Sequence, residues 1–295
     1  MRLLRAASAN MNMIIHDMEG EIQIGDAFRK PKFRQGNRLQ TFDRVVANPM
    51  WNQNEFKEKD YDADELDRFP KGAGYPGNKA DWGWMQHILA SMNDKARAAV
   101  VLDTGAASRG SGNANTNKEK DVRKWFVEQD LIEGVIYLPE NLFYNTTAPG
   151  IIIVLNKAKP KEHQGKLFLL NASRDFVKGD PKNYIPDNAI MRIAETFTSW
   201  KSRNTRGSSA ARRLPKTIST SRQVVIFIRE PRTSTGRFRR SWRNWRRWKK
   251  RLTRRHRPGA GLVFLAVQLG RREILVRAQI HFFLQDQLAL DEQSG

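Results

Sequence analysis

Cysteine is absent from the 295 residues of this chain. Disulfides and thiolate-held metals are thereby excluded, and the five histidines show no ligand spacing such as HExxH, so no metal site is expected. Long apolar runs are missing too. The longest, GLVFLAVQLG at 261–270, falls well short of the roughly 20 residues that span a bilayer. The N-terminus lacks the basic, apolar and small-residue succession of a secretory signal. No membrane association is expected, and a cytoplasmic location fits.

Acidic residues are scarce in only one part of the chain. Residues 1–200 carry 28 Lys and Arg against 26 Asp and Glu, a net of +2, whereas residues 201–295 carry 24 against 5, a net of +19. The formal charge of +21 therefore belongs almost wholly to the last third. The composition breaks near Trp200, giving two segments of different kind, 1–200 and 201–295.

The first segment alternates between strand and helix patterns. EIQIGDAF (21–28), FDRVVANP (42–49), ARAAVVLD (96–103), LIEGVIYLP (131–139), GIIIVLNK (150–157) and KLFLLNAS (166–173) are short apolar or β-branched runs closed by turn formers. DWGWMQHILASMNDK (81–95) and NKEKDVRKWFVEQD (117–130) place apolar residues at helical spacing. Such alternation predicts a mostly parallel α/β sheet covered on both faces, with its ligand crevice at the carboxyl ends of the strands. Three strand ends there carry polar residues: Gly25-Asp26, Asn48-Pro49-Met50-Trp51, and Asn141 to Thr147. Taken alone, Asp26 reads as a turn-forming or capping aspartate and Asn-Pro as an ordinary turn.

Together they resemble something more specific. ANPMW within FDRVVANPMWNQ resembles the Asn-Pro-Pro-Phe/Tyr motif of amino-group DNA methyltransferases. NMNMIIHDMEGEIQIGDAF, VVANPMWNQ and LIEGVIYLPENLFYNTTAPGIIIVLNKAK, in that order over about residues 8–200, are similar to the modification subunit of type I restriction–modification systems, of the N-6 adenine-specific DNA methylase family. The resemblance implies a Rossmann-like methyltransferase sheet, S-adenosylmethionine as cofactor, and DNA together with specificity and restriction subunits as partners. It implies that Asn48 and Pro49 accept the two hydrogens of a flipped adenine's amine, with Met50 and Trp51 standing where the family has Pro and Phe or Tyr. Packing of Trp51 beneath a loop is the plain alternative to stacking on the base. It implies further that Asp26 accepts from the cofactor's adenine and that Phe143, Tyr144 and Asn145 line the target-base pocket. The glycine-rich stretches 71–84 and 104–115 are either loops over the cleft or ordinary surface loops.

The family's glycine-rich cofactor loop and its ribose-holding acid would both precede residue 1. The expected sheet is therefore partial, with its first strands missing, and weak cofactor binding and no activity are expected of the chain alone. The second segment departs from the family entirely. Tryptophan has a single codon, so a shifted frame is nearly fixed around it: Trp200-Lys201 and Trp248-Lys249 must give Glu, while Trp242-Arg243 and Trp245-Arg246 give Glu or Ala. In that frame WRNWRRWKK permits the acidic EELEALEE, and AARRLPKTISTSRQVVIF permits AAKNDFNLSPSRYI. Residues 201–295 are thus expected to be an out-of-frame, largely disordered basic tail without a native fold. The alternative is a noncatalytic basic nucleic-acid-binding protein built on a methyltransferase remnant, with SWRNWRRWKKR (241–251) contacting phosphates and bases.

Overall fold

The computed structural model describes residues 9–11, 13–15, 20–54, 56–110 and 118–200, together with the backbone strands 224–227 and 262–265. The expectation of a tail without a native fold lies otherwise outside the described residues. A small hairpin pairs β1 (Arg34–Gln35) with β2 (Arg38–Leu39). The main sheet is formed by β3 (Phe42–Ala47), β4 (Met92–Asp103), β5 (Ile132–Tyr137), β6 (Gly150–Asn156), β7 (Leu167–Asn171), β8 (Val224–Phe227) and β9 (Leu262–Leu265). The strand order is β8-β7-β5-β6-β4-β3-β9.

Every pairing in the main sheet is parallel except the two made by β6, which runs against both β4 and β5. The mostly parallel sheet expected from the sequence is therefore present, with one reversed strand. Its central strands are buried on both faces, which is why they read as nearly continuous apolar runs. On one face α2 (Asp81–Ala90) and α4 (Lys118–Glu128) pack Trp82, Met85, Ile88, Val122 and Phe126 onto Val45, Val100, Leu102 and Ile153. The rings of Trp82 and Phe126 meet at 5.3 Å and join the two helices. On the other face α5 (Asp187–Thr198) lays Ile190, Ile193, Ala194 and Phe197 over Val46, Val101, Val154 and Phe168. Two short helices, α1 (Glu58–Asp62) and α3 (Gly105–Ser108), and a 3-10 turn at Lys161–His163 are also present.

Three differences from the sequence reading have physical causes. EIQIGDAF is not a strand: residues 20–24 have no regular structure and no ladder partner among the described residues, and Ile24 is exposed. Apolar alternation alone cannot hold a strand whose backbone groups have nothing to pair with. The helix expected over 81–95 stops at Ala90, because the Ser91 carbonyl accepts from Phe42 N and Met92 aligns with Phe42 at the start of the β3–β4 ladder. The helix α5 is not among the elements expected, although Ile190, Ile193 and Phe197 fall at helical spacing. Among the described residues no helix is long and apolar enough to cross a membrane, and no group of His, Asp and Glu could hold a metal.

A third, smaller cluster sits apart from the sheet and is mostly aromatic. Phe28 stacks on Phe56 at 4.0 Å, with Tyr61, Phe69 and Trp84 around it. Beside it the buried Arg68 pairs with Asp64 at 2.7 Å and donates to the Phe28 carbonyl and to His87 Nδ1. Burial pushes His87 down to about 3, and the Arg68 charge acts in the same direction.

Candidate active site

β3 ends at Ala47, deep in the sheet, and the chain turns out of it through Asn48-Pro49-Met50-Trp51. Proline disfavours a helical conformation at Asn48 and keeps the exit extended. Asn48 is half-buried, Pro49 buried and Met50 exposed. The Trp51 indole lies back over the strand ends, and its Nε1–H donates both to Asn48 Oδ1 and to the Val101 carbonyl of β4, each at 3.2 Å.

The ring of Trp51 meets Phe143 edge-on, with centroids 4.6 Å apart. Phe143 comes from the loop between β5 and β6, and Gly150, the first residue of β6, makes room for the pair. A Cβ there would stand 2.9 Å from the Phe143 ring and 3.1 Å from Trp51 Cη2. The loop is held in turn from outside, since Lys182 Nζ donates to Asn141 Oδ1 and to the Thr146 carbonyl at 2.9 and 3.2 Å. Asn183 N also donates to the Asn141 carbonyl. Tyr144 and Asn145 project from this loop and are exposed.

Immediately after the motif, Asn52 takes a left-handed backbone, φ 56°. It is caged there. Its N–H donates to Asp81 Oδ1 at 3.1 Å, its side-chain nitrogen donates to Asp103, and its Oδ1 accepts from Arg109 Nη1 at 2.8 Å. The same guanidinium contacts Asp81 through Nη2, Asp103 through Nη1 at 3.1 Å, and Glu119 through Nε at 2.8 Å. One arginine thereby joins the motif loop to the start of α2, the end of β4 and the first turn of α4. Burial raises the pKa of both Asp81 and Glu119, and the Arg109 charge offsets only part of that rise.

The family model for N-6 DNA methylases matches residues 4–216. The chain belongs to the N-6 DNA methylase family. Two type I restriction enzyme methylase subunits of Methanocaldococcus jannaschii are similar to it: MjaVIII, 39% identical over 207 residues, and MjaVII, 38% identical over 209 residues. These alignments cover 66% and 67% of this chain and 34% of each relative. The HindI methylase subunit of Haemophilus influenzae is 28% identical over 65% of the chain and 41% of its own length. Among solved structures, the type I restriction-modification system methyltransferase subunit from Streptococcus thermophilus superposes with a TM-score of 0.54 at 28% identity. That superposition covers 66% of this chain and 39% of the other. The chain spans about a third of the length of the M. jannaschii relatives.

Of the residues singled out in the sequence of this N-6 DNA methylase, Asn48, Pro49, Trp51 and Phe143 come together at one rim. Met50, Tyr144 and Asn145 flank them toward solvent. Asp26 lies elsewhere, beside the aromatic cluster: its Oδ1 accepts from Phe28 N and Arg29 N at 3.0 and 2.9 Å, which caps a turn, and its Oδ2 is 3.5 Å from Arg29. Two backbone donors thus fix the carboxylate, whose side chain is 40% exposed and chemically suited to accept a further hydrogen bond such as one from an adenine amine. Of the residues the sequence reading missed, Asp81 and Asp103 stand at a helix start and a strand end and could have been sought by position. Arg109 carried no such signal.

Proposed function

We propose that this chain forms the target-base side of an adenine-specific DNA methyltransferase, the modification subunit of a type I restriction–modification system, working with specificity and restriction subunits. The observation that carries this reading is the meeting of Asn48, Trp51 and Phe143 at the carboxyl ends of β3 and β4. The similarity to type I methylase subunits from two organisms supports it.

An exocyclic amine conjugated into a purine is a poor nucleophile. Accepting hydrogen bonds from both its protons draws the lone pair out of the ring, and the Asn48 Oδ1 and Pro49 carbonyl are neutral acceptors suited to that task. The base must leave the duplex to reach them, and the half-buried Trp51 indole, backed edge-on by the buried Phe143, is the aromatic face that would receive it. When bound, S-adenosylmethionine would supply an electrophilic methyl group and leave as its thioether, while Asn48 and Pro49 hold the amine in place and its proton passes to solvent. The contribution of the protein is position rather than base strength. Asp26 would hold the cofactor's adenine.

A preference for single-stranded oligo(dA) over oligo(dT) that Asn48→Ala abolishes is the expected result, since no methyl transfer is expected of this chain alone. A soluble, folded protein without that preference overturns the reading and favours a second one, a noncatalytic nucleic-acid-binding protein, for which the net +19 of residues 201–295 speaks. We likewise propose that residues 1–200 form the catalytic segment and that 201–295 are an out-of-frame tail. The nucleotide sequence around codon 200 tests this, and it fails if the second frame does not encode the acidic and Ser-Arg-Tyr-Ile segments.

A further inference from the structure

We propose that Trp51 is a positioning residue for Asn48: its indole N–H fixes the Asn48 amide so that the remaining lone pair of Oδ1 points at the target amine. The proposal deepens the target-base reading above and rests on it. An asparagine amide offers an acceptor on one side and two donors on the other, and a half-turn about its last torsion exchanges them. The wrong orientation would present N–H to N–H and repel the amine. An indole nitrogen can only donate. Placed 3.2 Å from Asn48 Oδ1, it accepts one orientation and rejects the other.

The orienting group is itself held. The Val101 carbonyl accepts from the same N–H at 3.2 Å, so the indole cannot swing away without losing a second bond, and the Phe143 edge at 4.6 Å blocks rotation of the ring. Gly150 leaves the space both rings need. The Oδ1 atom has two lone pairs, so the indole takes one and leaves one. Phenylalanine at this position has no donor, and tyrosine carries its hydroxyl at the far end of the ring. The tryptophan therefore adds an orienting bond to whatever surface it gives the base.

The full chain labelled with nitrogen-15 provides the test. Its eight tryptophans give a small set of indole resonances, and Trp51→Phe identifies the one that disappears. Asn48→Ala is expected to shift the Trp51 indole proton and speed its exchange with solvent; an unmoved resonance overturns the proposal. Should Asn48→Ala fail to fold, a changed Asn48 side-chain amide pair in Trp51→Phe gives the same information, and an unchanged pair overturns it. Binding of short single-stranded oligo(dA) against oligo(dT) then separates orientation from stacking, the basic tail contributing equally to both probes. Replacing Trp51 by 3-benzothienylalanine keeps the ring and removes only the N–H. The dA preference is expected to fall about fivefold, the typical worth of one hydrogen bond, and full retention overturns the proposal. A wild-type chain with no dA preference refutes the target-base reading instead, while the indole resonance still decides whether Trp51 holds Asn48.

Discussion

At the residue scale, the heaviest electrostatic demand falls on Arg109. Three carboxylates and Asn52 share its guanidinium, and the side chain of Asp81 is fully buried. Arg109→Met leaves those charges uncompensated, and the expected loss is about 3 kcal/mol of unfolding free energy in a denaturant titration. The loss has a pH signature. Without the arginine the folded-state pKa of Asp81 rises further, so the carboxylate costs stability above that value and none once protonated. The gap between mutant and wild type should therefore narrow as pH falls through the raised pKa of Asp81. His87 behaves oppositely. Its pKa is pushed down to about 3 by burial, so the folded state holds it neutral, and stability present above the unfolded value of about 6.5 drains away as pH falls toward 3. His87→Gln, which can still accept from Arg68, should flatten that part of the profile. Asn48 and Pro49 were legible in the sequence because a strand exit followed by Asn-Pro is local. The cage was not: Asn52, Asp81, Asp103 and Arg109 are drawn together only by the fold.

At the element scale, β5 shows how little room the sheet leaves. A Cβ on Gly134 would run into the Phe168 carbonyl of β7 and lie 2.8 Å from the ring of Phe197 on α5. Gly134→Ala is expected to cost about 1–3 kcal/mol, read as a lower urea midpoint, with α5 losing hydrogen-exchange protection before α2. Gly150→Ala intrudes on the aromatic pair instead and should disturb the Trp51 indole resonance more than global stability. Five of the six expected strands form because their apolar runs have ladder partners on both sides. The sixth, EIQIGDAF, has the same pattern and no partner, and its Asp26 serves a turn. For Asp26 the capping role visible in the sequence is the one its Oδ1 performs. A period of two reports which side chains could be buried, and a strand needs neighbours besides.

At the scale of the whole molecule, charge and chemistry are separated along the chain. The Asn48 rim belongs to a segment of net charge +2, while +19 lies beyond Trp200. Binding to DNA of arbitrary sequence should be steeply salt-dependent. Changing Arg243, Arg246 and Arg247 together to Gln should lower the slope of log K against log salt by up to about 3, at roughly 0.9 for each phosphate no longer neutralised. Adenine preference in the oligonucleotide comparison should not change, since the tail reads no base. A fall in that preference would place the tail at the site.

The reversal of β6 has a practical consequence. Because that strand begins beside Asp103 and runs away from the site to Asn156, the loops bearing Asn48, Arg109 and Phe143 all open on one rim, while the opposite rim carries the connections 129–131 and 157–166, joined by Lys159 Nζ and Asp130 Oδ1 at 2.8 Å. A tether attached at Lys161 would hold the molecule by its back, so that on a sensor surface every immobilised copy would present the Asn48 rim outward to DNA flowing past.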